Sequence, residues 1–162
     1  MTSTNANTTR IETRSGQALD MRLAQPSDKD LLRQLFAGSP AEELHFRFVP
    51  VAENWKQDPG EPLEVFLALS GGQLTSAAVI ARDAARENAE VVVALDHRWR
   101  GKGIGFAMLE YAASEARRRG LKLLWSVETH GNPSGMKAAL DFGFISRALQ
   151  DDPDWVQLEL RL

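Results

Sequence analysis

Short stretches of alternating or helix-spaced apolar residues divide the chain into elements. Residues 18–24 predict a strand, because Leu19, Met21 and Leu23 place an apolar side chain at every second position. The spacing then changes, and residues 31–36 place three leucines and a phenylalanine on one face of a helix. Ser27 and the acidic residues after it suit the start of this helix, and Gly38 suits its end.

A second helix and a hairpin are predicted next. Residues 39–42, Ser-Pro-Ala-Glu, form a capping box with proline at the first helical position, so a short helix should begin there. Residues 51–62 are expected to form a loop. The apolar runs 63–69 and 73–81 are separated by Ser-Gly-Gly at 70–72, and glycines between two such runs favour a hairpin.

The second half of the chain alternates strands with helices. Residues 89–95 predict an apolar strand, and a helix with small and apolar residues at four-residue spacing runs from Ile104 to Gly120. Asn132, followed by proline, is typical of a helix start, and Gly143 of a helix end. The remaining apolar runs predict three further strands, at residues 121–129, 144–149 and 155–162.

The predicted order is therefore β-α-α-β-β-β-α-β-α-β-β. Such a mixture indicates an α+β fold, with a mixed, mostly antiparallel central sheet flanked by helices. Residues 1–16 are polar and rich in Thr, Ser and Asn, so we expect a flexible tail there. Residues 17–162 then form a single domain, since no repeat or linker divides them.

Composition excludes several classes of function. The chain has 162 residues, 43% of them hydrophobic, which suits one domain with a packed core. It has no cysteine, so disulfides, cysteine nucleophiles and thiolate metal sites are excluded, and we predict no metal site. The net charge of −3 argues against a nucleic-acid partner. No apolar run suits a signal sequence or a membrane span, so we expect a cytoplasmic protein with no membrane partner.

The most informative stretch is residues 100–105, Arg-Gly-Lys-Gly-Ile-Gly, between a strand and a helix. Glycines let the backbone approach a phosphate closely, and free N–H groups at a helix start point at an anion. A Walker A loop is excluded because no Ser or Thr follows Lys102. The dinucleotide pattern is excluded because Phe106 stands where its last glycine belongs.

What fits is Arg-x-x-Gly-x-Gly over residues 100–105, which resembles the coenzyme A pyrophosphate loop of the GNAT N-acetyltransferase superfamily. Residues 132–144, from Asn-Pro to Gly-Phe, resemble the second conserved block of that family. Residues 89–99 are similar to the branch that contains bacterial protein-lysine acetyltransferases of the Pat type. The similarity covers about residues 18–162, and it implies the acyl-CoA N-acyltransferase fold.

The resemblance implies a binding site for acetyl-coenzyme A (acetyl-CoA). In the family, backbone amides of the glycine loop bind the pyrophosphate, and the positive end of the helix dipole adds to them. The amides that correspond to them belong to Gly101, Lys102, Gly103, Ile104 and Gly105. Arg100 is expected either to brace the turn or to reach a phosphate.

The pantetheine arm is expected along the strand before the loop. In family members this strand bulges and splays from its neighbour, so that backbone groups near Val93, Ala94 and Leu95 pair with the arm as another strand would. Asn132 would supply a side-chain contact to the same arm. A plain helix cap is the alternative for Asn132, because asparagine is among the best caps without any ligand.

The resemblance also implies acid–base chemistry. Transfer to an amine needs a base, and Glu90 corresponds to the glutamate that has this role in the Pat-like branch; a solvated glutamate is the alternative. Many members carry a tyrosine at the position of Ala139, which protonates the leaving thiolate, and alanine cannot replace it. His130, Glu128 and Ser134 are the polar residues that could substitute, and His130 is our candidate among them; a surface histidine at a strand end is the alternative.

The acceptor is expected to be a primary amine, either a protein lysine or a cationic small molecule. Four acidic residues between 53 and 64 stand against one lysine, and their field would favour a cation. A solvated loop is the alternative. A non-catalytic acyl-CoA-binding or sensing module is the second function that Ala139 leaves open. The sequence also leaves open a homodimer, through an exposed edge of the sheet.

Overall fold

The structure is a computed structural model, and it describes residues 8–37, 63–85, 87–131 and 133–162. Within these ranges the strands are β1 Thr9–Glu12, β2 Ala18–Leu23, β3 Leu63–Ser70, β4 Gln73–Arg82, β5 Asn88–Leu95, β6 Leu123–Thr129, β7 Ile145–Ala148 and β8 Trp155–Arg161. The α-helices are α1 Lys29–Ala37, α2 Ile104–Arg118 and α3 Pro133–Phe142. Short 3-10 helices, Pro26–Asp28 and His97–Trp99, precede α1 and α2.

The strands form one sheet in the order β1-β2-β3-β4-β5-β6-β8-β7. Neighbouring strands run antiparallel except β5 and β6, which run parallel, so the predicted mixed and mostly antiparallel sheet is confirmed. Gly71 and Gly72 close the predicted β3–β4 hairpin with φ values of 56° and 82°. Glycine adopts these left-handed values without strain, as two-residue hairpin turns require.

Residues 9–16 belong to the folded domain, so the expectation of a flexible tail through residue 16 is wrong for them. β1 pairs with β2 along its whole length, which adds one strand to the predicted order. Ile11 packs against the cluster that contains the buried Leu19 and Met21. Ile11 is the only residue of β1 that is not exposed, so no alternating apolar pattern marks this edge strand in the sequence.

The other predicted elements that fall on described residues are confirmed, and their ends agree within about two residues, the usual uncertainty of such boundaries. The second helix, predicted from residue 39, and the loop over residues 51–62 lie outside the described residues. Asn132 also lies outside them.

The two faces of the sheet are buried by different helices. On one face Ile80 and Val91 pack with Ala112 of α2 and with residues of α3. On the other face Leu32 of α1 packs with Val79 and its neighbours. Because side chains alternate along a strand, the odd-numbered residues of β5 face α2 and the even-numbered ones face the α1 side.

β5 and β6 separate halfway along their length. They pair only over three positions, which end at Glu90 opposite Trp125. β5 remains paired with β4 as far as Leu95, in an unbroken register. The predicted splay is therefore confirmed, whereas the predicted bulge in β5 is wrong, because β5 keeps its pairing with β4 while β6 moves away.

A buried ion cluster joins β3 to the end of α2. Arg119 contacts both carboxylate oxygens of Glu64, at 2.6 and 2.8 Å, and one oxygen of Glu115 at 2.7 Å. The Glu64 side chain is only 3% exposed. Glu64 therefore does not contribute to the acidic field that the sequence suggested for the acceptor side, because Arg119 neutralises it inside the fold.

Candidate active site

The gap between β5 and β6 leads into a cavity of about 470 Å³. Its walls come from β5, β6, the start of α2 and one side of α3. The three predicted strand residues, Val93, Ala94 and Leu95, all line it. Beyond Glu90 no residue of β6 pairs with β5, so the β5 edge can pair with an extended, amide-bearing ligand.

The glycine loop, which connects β5 to α2, contains two residues with a left-handed backbone conformation. Gly101 and Gly103 have φ values of 75° and 76°, and both line the cavity. Such values cost an L-residue about 1–2 kcal/mol, which explains glycine at both positions. Ile104 follows with its side chain 1% exposed in the core, and this anchors the loop to the sheet.

The first turn of α2 offers backbone donors to the cavity. A helix leaves its first N–H groups without intrahelical partners, and Ile104, Gly105 and Phe106 occupy these positions and line the cavity. A Cβ added at Gly105 would meet no atom within 4 Å, so the space beside this backbone is open. Donors, dipole and open space together suit a phosphate group.

Three cations line the cavity: Arg14, Arg100 and Lys137. Lys137 is paired with Asp141, 2.5 Å away, and this pair lies on α3. Arg100 is exposed, and its expected role, to brace the turn or to reach a phosphate, stays a prediction. Lys102 does not line the cavity, and its Nζ lies 6.0 Å from the Trp99 ring, so only its backbone remains for the predicted role.

The acidic Asp96 reduces the positive charge that the sequence places at this loop. Its carboxylate caps the 3-10 helix and accepts hydrogen bonds from the Arg98 backbone and guanidinium, the shortest at 2.7 Å. The guanidinium hydrogen bond lowers the pKa of Asp96 below its usual value. Arg98 is thus neutralised locally, which leaves Arg100 and Arg14 to attract an anion.

The candidate base Glu90 lies at the base of the gap rather than on the cavity wall. It is half-buried and directly precedes Val91, the first residue of β5 that lines the cavity. Strand alternation places its side chain on the α1 side of the sheet. Glu90 and the cavity lining therefore approach the point of separation from opposite faces.

The polar candidates around α3 divide into two groups. Glu128 and Ser134 line the cavity, whereas His130 is exposed at the end of β6 and is not part of the lining. Its backbone N–H donates to the Asp154 carbonyl, at 3.2 Å, in the approach to β8. Of these two residues, Glu128 lines the cavity and His130 does not.

Ala139 lines the cavity and is 5% exposed, so no proton donor stands at this step of α3. The chain has one tyrosine, Tyr111, and it is not part of the lining. Its ring packs edge-on against Phe66, with 5.5 Å between centroids, and burial raises its pKa. Tyr111 does not replace the missing group.

Arg14, Phe106 and Ser126 line the cavity and are among the lining residues that the sequence did not identify as site residues. Arg14 belongs to a stretch that was taken for a tail. Phe106 was used only as evidence against a dinucleotide-binding loop. Its position in the first turn of the predicted helix, however, indicated that its backbone N–H is a free donor. Ser126 is 7% exposed on a strand that looked like core, so nothing in the sequence distinguished it.

The described residues were also compared with the requirements of a metal site and of a membrane-spanning helix. Within them no three His, Asp or Glu side chains lie close enough to hold a metal ion. None of the helices that the structure describes combines the length and the apolarity needed to cross a membrane.

Comparisons with known proteins agree with this architecture. The GNAT domain of S. lividans PAT superposes with a TM-score of 0.82, at 20% identity over 96% of this chain and 97% of that one. RimJ of Mycobacterium smegmatis, solved in complex with CoA-disulfide, gives 0.74 at 11% identity, over 95% of this chain and 86% of that one. A ribosomal-protein alanine N-acetyltransferase of Escherichia coli gives 0.68 at 19% identity, over 88% and 93%.

At these identities the structural matches show the fold alone. No curated protein is similar to the chain in sequence at a significant level. The model of the acetyltransferase (GNAT) family, however, matches residues 29–144, which is most of the chain. The protein therefore belongs to the GNAT acetyltransferase family.

Proposed function

We propose that this protein is an acetyl-CoA-dependent N-acetyltransferase that transfers the acetyl group to a primary amine by direct attack on the thioester. The observation that carries the proposal is the separation of β5 from β6 beyond Glu90, which opens a cavity onto the amide-bearing start of α2. Membership of the GNAT family supports the choice of acetyl-CoA, and RimJ of the same fold was solved with CoA-disulfide.

The residues present fit the chemical groups of coenzyme A. The diphosphate suits the amides of Gly101–Gly105, where Gly101 and Gly105 leave the backbone uncovered. The amide-rich pantetheine arm suits the open edge of β5 at Val93–Leu95. When bound, acetyl-CoA supplies an activated acyl group as a thioester.

The acceptor amine must lose a proton before it can attack. A lysine with a pKa of about 10.4 is neutral in about one molecule in 2,500 at pH 7, a penalty of about 4.6 kcal/mol. Glu90 takes this proton, from the α1 side at the base of the gap. The C–N bond forms, the C–S bond breaks, and the products are an amide, the thiol of coenzyme A and one released proton.

The leaving thiolate needs no tyrosine. A thiol with a pKa of about 8.5 departs readily as the anion, or takes a proton from water. Among the residues that line the cavity, Glu128 and Ser134 carry the polar groups that most resemble a proton donor. His130 has no part in this step, since it lies outside the lining.

The proposed acceptor is a protein lysine or a small cationic amine. The E. coli protein of this fold acts, by its name, on an alanine of a ribosomal protein, which supports a protein as one class of acceptor. Glu90 and Glu128 place carboxylates on both sides of the point where the strands part, and this arrangement favours a cation over an anion.

A catalytically impaired acyl-CoA sensor is the second candidate, and one observation favours it. Ala139 stands in the cavity without a proton donor, and the one tyrosine of the chain packs elsewhere. Binding of acetyl-CoA does not separate the two functions, because both require it.

Release of free thiol from acetyl-CoA does separate them. The wild-type protein is incubated with acetyl-CoA and a panel of small amines, lysine peptides and lysine-rich proteins, with Glu90→Gln in parallel. Amine-dependent thiol release that Glu90→Gln suppresses supports the enzyme. Tight binding with no thiol release across the panel supports the sensor.

A further inference from the structure

The turn between β1 and β2 is fastened to the glycine loop. The Ser15 hydroxyl donates to the carbonyl oxygen of Lys102 at 2.6 Å. Thr13 Oγ1 lies 3.0 Å from Ser15 Oγ and accepts from the Gln17 N–H at 3.0 Å. Since the one hydroxyl hydrogen of Ser15 is used on Lys102, Thr13 must donate to Ser15, and the bonds form one directed chain.

Close packing supports the same attachment. A Cβ added at Gly103 would lie 3.6 Å from Thr13 Cβ and 3.9 Å from Ser15 Oγ. The turn is therefore in contact with the backbone that forms the start of α2. Any side chain held by this turn is positioned relative to the cofactor loop.

Arg14 is that side chain, and it lines the cavity. Its guanidinium carbon lies 3.9 Å from the centroid of the Phe106 ring, a stacked cation–π contact. The Phe106 ring in turn meets Phe142 of α3 edge-on, with 5.4 Å between centroids. In the described part of the chain no ion pair neutralises Arg14.

We propose that Arg14 binds the 3′-phosphate of coenzyme A, and the proposal rests on the function proposed above. Coenzyme A carries two anionic groups, a diphosphate and a 3′-phosphate on the ribose. The amides of the loop suit the diphosphate, so a protein group that binds the second anion must lie outside these amides.

The distribution of charge singles out Arg14 for this role. Arg100 precedes the amides that suit the diphosphate, and Lys137 is already paired with Asp141. Arg14 is displaced past Gly103 onto Phe106, between the start of α2 and the end of α3. A planar guanidinium fixed by stacking is suited to bidentate contact with phosphate.

The test compares binding of coenzyme A with binding of 3′-dephospho-coenzyme A by calorimetry, for the wild type and for Arg14→Ala. Arg10→Ala is the matched control, because Arg10 lies on the same hairpin, is 74% exposed and faces Asp20 at 3.6 Å. Thermal unfolding checks that each variant is folded. We expect Arg14→Ala to weaken coenzyme A binding about tenfold or more, and to leave the dephospho form unchanged.

The outcomes distinguish the two proposals. A wild-type preference for coenzyme A that Arg14→Ala removes and Arg10→Ala retains supports the inference. An unchanged preference in Arg14→Ala, an equal loss for both ligands, or equal wild-type affinity for both overturns the inference alone. Failure of the folded wild type to bind either ligand overturns the proposed function as well.

Discussion

Glu90 is the last residue of β5 that pairs with β6, and it lies opposite Trp125 at the point where the two strands part. Its side chain is on the α1 side, while Val91, the next residue, lines the cavity. A carboxylate at this point can serve an amine that approaches from the α1 side while the thioester lies in the gap.

Glu90→Gln is therefore expected to lower kcat about 100-fold or more at pH 7, because general base catalysis contributes about 10²–10⁴-fold. The loss should shrink as the pH rises toward 10, since the amine then deprotonates without help. A profile of kcat against pH for wild type and variant measures both effects.

Glu128→Gln and Glu110→Gln accompany this measurement. Glu110 is exposed on α2, so its variant should retain wild-type rates. A full rate in Glu90→Gln together with a large loss in Glu128→Gln would transfer the role of base to Glu128.

Gly105→Ala is expected to separate stability from cofactor binding. Gly105 lies inside α2, where alanine is favoured by about 1 kcal/mol, and an added Cβ meets no protein atom within 4 Å. The same Cβ would occupy space needed by a phosphate, so affinity for coenzyme A should fall about tenfold while the unfolding temperature rises.

Ser114→Ala is the control for this effect, since Ser114 is exposed on the same helix and does not line the cavity. It should raise stability slightly and leave affinity unchanged. Undiminished affinity in Gly105→Ala would contradict the placement of the diphosphate.

Arg119→Met is expected to destabilise the fold by about 3 kcal/mol, because it leaves Glu64 buried without its cation. Arg118→Met should cost less than about 1 kcal/mol, since the Arg118 side chain is 69% exposed although it also contacts Glu115. Urea unfolding measures the free energy of unfolding of both variants. A loss in Arg119→Met as small as that in Arg118→Met would show that the Glu64–Arg119 pair is not needed for stability.

Asp28 should make stability depend on acid. Burial alone would raise its pKa, but hydrogen bonds from Arg22, the shorter at 2.7 Å, and from the Gln25 backbone outweigh burial and lower it. A lowered pKa in the fold means that the stabilisation is present above the unfolded value of about 3.9, and is lost as the pH falls through the folded value.

Asp28→Asn should therefore cost about 2 kcal/mol at pH 6, and progressively less below about pH 4. Asp30→Asn is the control, because the Asp30 side chain is 86% exposed and pairs only with Arg33 at the surface. Urea unfolding at several pH values tests this, and a cost for Asp28→Asn that does not vary with pH would refute the assignment.

Local signals in the sequence were sufficient for most of the fold and for the backbone of the glycine loop. Gly71 and Gly72 marked the hairpin, and glycine at 101 and 103 marked positions whose backbone is left-handed. These predictions succeed because the required conformation constrains the residue type at the same position.

Relationships between distant segments were not predictable in this way. Arg14 reaches the cavity only because β1 pairs with β2, and a polar edge strand carries no apolar pattern. Glu64 looked like part of an acidic loop until its partner Arg119, 55 positions later in the chain, was seen. His130 was a candidate proton donor from its position in the sequence, but it lies after the end of β6 and does not line the cavity.

The central claim is that acetyl-CoA binds in the gap between β5 and β6, against the start of α2. Titration of the isotope-labelled protein with acetyl-CoA, followed by backbone amide NMR, tests it most directly. The account predicts saturable shifts at Val93, Gly103 and Gly105, with little change at Arg33 on α1. Absence of saturable shifts at Gly103 and Gly105 would contradict it.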